Sequence, residues 1–232
     1  MTPCECSAPH ERRRIVLTGG PGAGKTALLE LIRQSFCSHV TVLPEAASVV
    51  FGGGFPRHSD PECLRAAQRA IYHVQRQLEI TGDSHNAAIV LCDRGTLDSL
   101  AYWPGAHQDF WAPLGTDRER ELARYDAVIH LRTPTAELGY NHQNPLRTES
   151  AARAGEVDAL ILNAWEGHPR RWLIESSVDF LDKAARALDV LRGELPECCR
   201  GHEVPSVRDR ADRSSSDNST TGMGSETGGP PD

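Results

Sequence analysis

Apolar positions along the chain follow two alternating patterns. Ile15-Val16-Leu17, Ala87-Ala88-Ile89-Val90-Leu91-Cys92 and Ala127-Val128-Ile129-His130-Leu131 are short, nearly unbroken apolar runs. Such runs predict strands buried on both faces, as in the middle of a parallel sheet. His39 to Leu43 alternates, and Arg171-Trp172-Leu173-Ile174 is brief and apolar, so each predicts a further strand. Between these runs the spacing changes to three and four. Leu64, Ala67, Ile71, Val74 and Leu78 predict an amphipathic helix ending near Thr81-Gly82-Asp83. Asp60-Pro61-Glu62 starts it with a capping acid, a proline in the first turn and a second acid. Thr116-x-x-Glu119 predicts a capped helix to Arg124, and a helical stretch is expected over about 155–166. Ser176-x-x-Asp179 predicts the cap of a last helix with a stripe of Val178, Leu181, Ala185 and Leu188. Strands alternating with helices predict an α/β fold in three layers, a mainly parallel five-stranded sheet with helices on both faces.

The first strand runs into Gly19-Gly20-Pro21-Gly22-Ala23-Gly24-Lys25-Thr26, which fits G-x-x-x-x-G-K-[ST] at every fixed position. Glycines let backbone N–H groups approach a phosphate without Cβ atoms in the way. The loop leads into a helix N-terminus, which favours an anion. Lys25 is expected to reach the β- and γ-phosphates of ATP, and the Thr26 hydroxyl to bind Mg²⁺. Ligands of such sheets sit at the carboxyl ends of the strands, where Glu45, Asp93 and Arg132 all fall. Asp93 is the expected second holder of Mg²⁺. Arg94 suits gripping an acceptor or its phosphate, or an ion pair with Glu45 or Asp98. Glu45 is a candidate to orient an acceptor hydroxyl and take its proton. Arg147, in a polar segment between a strand and a helix, is the candidate to close on the γ-phosphate, with Arg132 and Arg153 as weaker candidates. Tyr102, Trp103, Phe110 and Trp111 either stack an acceptor ring or pack. His130 is read as a core residue.

The 232 residues are expected to divide into a disordered N-terminus (1–10), one phosphate-loop domain (11–200) and a disordered polar tail (201–232) in which apolar residues nearly vanish. A net charge of −7 argues against a broad nucleic-acid surface, and Arg12-Arg13-Arg14 is read as a solvated strand entry. No apolar run approaches a membrane span, and no signal-peptide core precedes the domain, so a cytoplasmic protein is expected. Seven cysteines in such a chain read as reduced thiols. Cys4-x-Cys6 and Cys198-Cys199 lack the spacing of a zinc site.

Four motifs occur in order: Thr18 to Glu30, Pro44-Glu45-Ala46-Ala47, Asp93-Arg94-Gly95-x-x-Asp98 and Pro145-Leu146-Arg147-Thr148-Glu149. Over about residues 13–192 the chain resembles a family of small phosphate-loop AAA-domain ATPases similar to the ribosylnicotinamide kinase domain. It is more distantly similar to thymidylate and deoxynucleoside kinases. The resemblance implies ATP and Mg²⁺ at the loop and Asp93, an acceptor near Glu45 and Asp93-Arg94, and Arg147 in a lid. The expected activity is phosphoryl transfer from ATP to a small nucleoside- or nucleotide-like acceptor. The alternative is a slow NTPase or nucleotide-dependent switch acting through a protein partner. Ras-like GTPases are disfavoured by the lack of Asn-Lys-x-Asp. Residues 102–115 and the Gly52-Gly53-Gly54 loop match no pattern in the family.

Overall fold

The structure is a computed structural model that describes residues 6, 8–83, 87–134, 151–177 and 179–200. Five parallel strands form one sheet: β1 (Arg13–Thr18), β2 (Val40–Leu43), β3 (Ile89–Asp93), β4 (Ala127–Leu131) and β5 (Arg171–Ile174). Their order is β2-β3-β1-β4-β5, with β1 central. In register, Leu17 pairs with Asp93 on one side and Ile129 on the other. The turns that follow β1 and β3 are therefore side by side at one end of the sheet.

Strand alternation divides the core in two. Ile15, Leu17, Ile89, Leu91, Ile129 and Leu131 face α1 (Lys25–Ser35) and a late helix through Leu188 and Leu191. Val16, Val90, Cys92 and Val128 face the opposite layer, with Leu97, Ile161 and Trp165. That layer contains α2 (Ala46–Gly52), α3 (Pro61–Asp83), a 3₁₀ turn over Thr96–Tyr102, and the short α4 (Gln108–Trp111). After a second 3₁₀ turn (Ala112–Leu114) come α5 (Arg118–Leu122) and α6 (Ala151–Ala164). The late helix is α7 (Phe180–Glu194), followed by α8 (Glu197–Arg200). The expected five strands and three layers are therefore present.

Asp60 caps α3 as expected, its Oδ1 accepting from the Glu62 and Cys63 amides. The buried face of α3 is rotated from the apolar stripe, because Gln68, Tyr72, Gln75 and Glu79 are buried with Ala67, while Leu64, Ile71, Val74 and Leu78 are half-buried. Glu79 accepts from Arg124, from the Tyr125 hydroxyl at 2.7 Å and from Gln75 at 3.0 Å. A buried carboxylate satisfied this fully can occupy an interior position. Two predicted capping boxes are corrected. Asp117 caps α5 by accepting from the Arg120 amide, while Thr116 turns to Glu121 at 2.9 Å. Asp179 caps α7 through the Leu181 amide, and Ser176 donates instead to the Arg132 carbonyl. Short Asp side chains reach the first-turn amides directly, leaving the hydroxyls for other acceptors. The stripe of α7 is also shifted, to Ala184, Ala187, Leu188 and Leu191. Val178, the tail over 201–232, and the segment bearing Arg147 lie outside the described residues. Residues 6 and 8–10 form no helix or strand. No helix among the described residues is long and apolar enough to cross a membrane.

Candidate functional site

The turn after β1 closes around its glycines. Gly19, Gly22 and Gly24 have φ of 135°, 77° and 93°, values that only glycine adopts freely. At Gly19 the lack of a side chain is also steric, since a Cβ would sit 2.1 Å from the Leu131 carbonyl oxygen. Pro21 and Ala23 are fixed through their carbonyls. The Thr133 hydroxyl donates to the Pro21 carbonyl at 3.2 Å, and Lys183 Nζ donates to that of Ala23 at 2.8 Å. The Gly20 amide donates to Asp158 Oδ1 at 2.9 Å, and the same oxygen lies 2.9 Å from His130 Nε2. Arg132 reaches the other Asp158 oxygen at 2.9 Å, which places it as a support of the loop. Burial pushes Asp158 upward, but His130 and the Gly20 amide outweigh it and hold the acid below its usual value. His130 is a core residue as expected, although its Nδ1 is buried without a partner.

Lys25 folds back over this loop, donating to the carbonyls of Gly19 at 2.7 Å and Gly20 at 3.0 Å. Burial, with the Arg94 guanidinium nearby, pushes Lys25 down to about 7 against the opposing pull of Asp93, Glu45 and Asp98. Thr26 opens α1 and is exposed.

The second half of the site is the turn after β3. Arg94 takes a left-handed conformation, φ 70°, which is uncommon for a residue with a side chain. Its amide donates to the Leu17 carbonyl at 3.0 Å, tying the two turns together. Its guanidinium donates to Glu45 Oε1 at 2.7 Å and to Asp98 Oδ1 at 3.2 Å. Both ion-pair partners considered for Arg94 are thus engaged at once. Burial opposes the Arg94 charge, but Tyr102, Asp98 and Glu45 outweigh it and raise its pKa. Glu45 precedes α2 and also accepts from Ser48. Burial pushes Glu45 up, yet Arg94 and Ser48 together hold its carboxyl below the ordinary value. Asp98 is buried and saturated. It accepts from Thr18, from the Gly95 amide at 3.0 Å, from Trp165 Nε1 at 3.1 Å, and from Arg94.

Asp93 contrasts with Asp98. Its Oδ1 is buried with no partner. Burial, then the Glu45 carboxylate, push Asp93 up to about 6 against Lys25 and Arg94. An unpaired buried carboxylate oxygen near a phosphate loop is a hard oxygen donor. That donor chemistry fits Mg²⁺, together with the Thr26 hydroxyl.

A cavity of about 480 Å³ opens beside this cluster, between α2, α3 and the first 3₁₀ turn. Glu45, Arg94 and Tyr102 line it, together with Phe51, Arg57 and Gln68. Arg57 lies 4.0 Å over the Phe51 ring. Of the four aromatics considered for stacking, only Tyr102 reaches this space. Trp103, Phe110 and Trp111 are buried, with Phe110 edge-on to both tryptophans at 5.0 and 4.6 Å, so these three are packing residues. Arg153 also lines the cavity and pairs with Glu156 at 2.9 Å. Arg147 lies outside the described residues.

Sequence reasoning missed Asp158 and Lys183. Each had a signal in its position. Asp158 interrupts the apolar run Val157 to Leu162, and Lys183 places a cation in the first turn of α7, where the helix dipole disfavours it.

The fold is similar to that of deoxyadenosine kinase from M. mycoides, solved with bound dATP. The two are 13% identical with a TM-score of 0.54, covering 78% of this chain and 99% of the other. It is also similar to thymidylate kinase from Candida albicans, 11% identical with a TM-score of 0.55, covering 79% of this chain and 92% of the other. No curated protein sequence matches the chain. The phosphate loop, Glu45 and the Asp93 to Asp98 turn all lie within residues 14–183, which match the AAA domain family, and the chain belongs to that family.

Proposed function

We propose that the protein binds Mg²⁺-ATP at the loop over Gly19–Thr26 and transfers the γ-phosphoryl group to a small nucleoside- or nucleotide-like acceptor. The observation that carries this reading is the shared wall. Glu45 and Arg94 belong both to the cavity and to the charge cluster that acts on Lys25. A volume of about 480 Å³ falls within the range of small-ligand sites, about 300–1,000 Å³.

In this mechanism Lys25 leaves its loop carbonyls for the β- and γ-phosphates. Thr26 and Asp93 would hold Mg²⁺, which when bound would supply positive charge against the phosphate oxygens. Arg94 holds Glu45 ionised, so that its free lone pairs accept a hydrogen bond from the acceptor hydroxyl. The acceptor oxygen bonds to the γ-phosphorus as the bond from that phosphorus to the β–γ bridging oxygen breaks. The hydroxyl proton passes to Glu45, and ADP leaves. Arg147, which the family resemblance places in a lid, is assigned to the γ-phosphate. Tyr102 provides an aromatic edge for the acceptor.

The test is ADP release from Mg²⁺-ATP with and without a panel of nucleosides and nucleotides, with Lys25→Ala as the blank. The reading expects a large acceptor-dependent rise that the variant lacks. A slow rate indifferent to every acceptor would favour the alternative of a switch or slow NTPase working through a protein partner.

A further inference from the structure

At the opposite end of the sheet, six thiol and imidazole side chains converge from three distant stretches. Cys6 and His10 come from the segment before β1. Cys37 and His39 come from the link between α1 and β2, and Cys198 and Cys199 from α8. The helix α1 runs from the phosphate loop to this link, so a full helix length separates the cluster from the site described above. Nothing in the proposed reaction uses these residues.

The spacings are informative. His10 Nε2 lies 3.5 Å from Cys6 Sγ and 3.3 Å from Cys198 Sγ. Metal bonds of about 2.3 Å to sulfur and about 2.0–2.1 Å to nitrogen put the ligand atoms of a tetrahedral zinc about 3.4–3.8 Å apart. The ligand atoms of Cys6, His10, His39 and Cys198 all lie within 4.8 Å of one another. The rings of His10 and His39 meet edge to face at 4.8 Å. His39 is buried, and its Nδ1 faces the inner thiols, 3.1 Å from Cys199 and 3.5 Å from Cys37. That contact fixes the ring, and in the proposed site Nε2 would be the ligating nitrogen. An imidazole held through one nitrogen while the other ligates is the usual arrangement in zinc sites. Two thiolates and two neutral imidazoles also cancel the charge of a divalent ion.

We propose that Cys6, His10, His39 and Cys198 form a tetrahedral zinc site that ties both ends of the domain to the start of β2. Cys37 and Cys199 pack behind His39 and orient it. The site is structural, because all four positions are protein ligands and none is left for a substrate. Its ligands come from three segments, so no contiguous sequence spacing betrays it. Binding releases the thiol protons and links metal affinity to folding. The proposal does not rest on the phosphoryl-transfer reading.

The experiment uses the full chain, purified under reducing conditions without chelators, with zinc measured by elemental analysis. Metal-stripped protein is then titrated with zinc against a chromophoric chelator and with cobalt(II). Wild type is expected to carry one zinc per chain. Its cobalt form is expected to show thiolate-to-cobalt charge transfer and the strong visible bands of tetrahedral coordination. His10→Asn and Cys198→Ser lie at the accessible side of the cluster, away from the buried core, and each is expected to weaken zinc roughly 100-fold or more. Cys63→Ser, elsewhere on α3, is expected to bind as wild type does. Absence of zinc, a cobalt spectrum without thiolate bands, or wild-type affinity in either ligand variant would overturn the proposal.

Discussion

Replacing Asp98 by Asn tests the junction on which the candidate site is built. The two side chains are nearly the same shape, so packing is preserved and only donors and acceptors change. Asp98 Oδ2 accepts from two fixed N–H groups, those of Gly95 and Trp165, and Oδ1 accepts from Thr18 and Arg94. An amide nitrogen at the Oδ2 position would face two donors that cannot turn away. At the Oδ1 position it faces a Thr18 hydroxyl, which can rotate to accept, and the Arg94 guanidinium, which cannot. The second orientation is the milder one. It removes one buried charge-assisted bond and leaves Arg94 with Glu45 alone. Loss of a hydrogen bond to a charged group, with the repulsion that replaces it, costs about 2–4 kcal/mol. For a domain of this size that is a fall of roughly 4–16 °C in melting temperature. Urea unfolding of both proteins measures it, with an unchanged slope showing that the same surface is exposed. A loss below about 1 kcal/mol would show that Asp98 is not the anchor its bonds describe.

Three further outcomes follow from the site. Gly19→Ala forces a Cβ against the Leu131 backbone oxygen, and should cost about 2–5 kcal/mol and abolish nucleotide binding. Thermal melting with a fluorescent nucleotide checks this, and a variant that melts and binds as wild type does would refute the steric argument. Lys25 sits at about 7 in the free protein, so at a pH near 8 it is mostly neutral, and a triphosphate would draw it into the protonated form. Calorimetry in buffers of different ionisation enthalpy should therefore show uptake approaching about one proton per ATP near pH 8. That uptake should fade below about pH 6, where Lys25 is already charged, and equal uptake in Lys25→Met would rule it out. Glu45→Gln should lower transfer by roughly 10²–10⁴-fold with ATP affinity little changed, and steady-state kinetics that leave kcat intact would remove Glu45 from the reaction.

The sheet was legible because the central strands are buried on both faces and carry almost nothing but apolar residues. The phosphate loop was legible because its glycine positions are fixed by backbone conformation rather than by tertiary context. The faces of the helices were less so. An apolar stripe cannot anticipate that α3 buries Gln75, which donates to Glu79, or Glu79 itself, whose other partners Tyr125 and Arg124 lie more than forty residues away. The aromatic cluster after β3 had no regular period, and its packing depends on Phe110 entering the core beneath α3. The partners of Arg94 were visible as two alternatives, whereas its left-handed backbone, which lets it meet both, left no mark in a residue that is not glycine. The thiol and imidazole cluster was hidden for the same kind of reason, since three separate segments build it.

The central claim is that the phosphoryl group leaves ATP for a bound molecule rather than for water. The direct measurement is to incubate the full chain with Mg²⁺ and ATP labelled at the γ-phosphate, add pooled nucleosides and nucleotides, and separate the products. The account predicts label on one or more acceptor molecules, lost with Lys25→Ala and strongly reduced with Glu45→Gln. Label recovered only as inorganic phosphate, at one rate whatever acceptor is present, would contradict it.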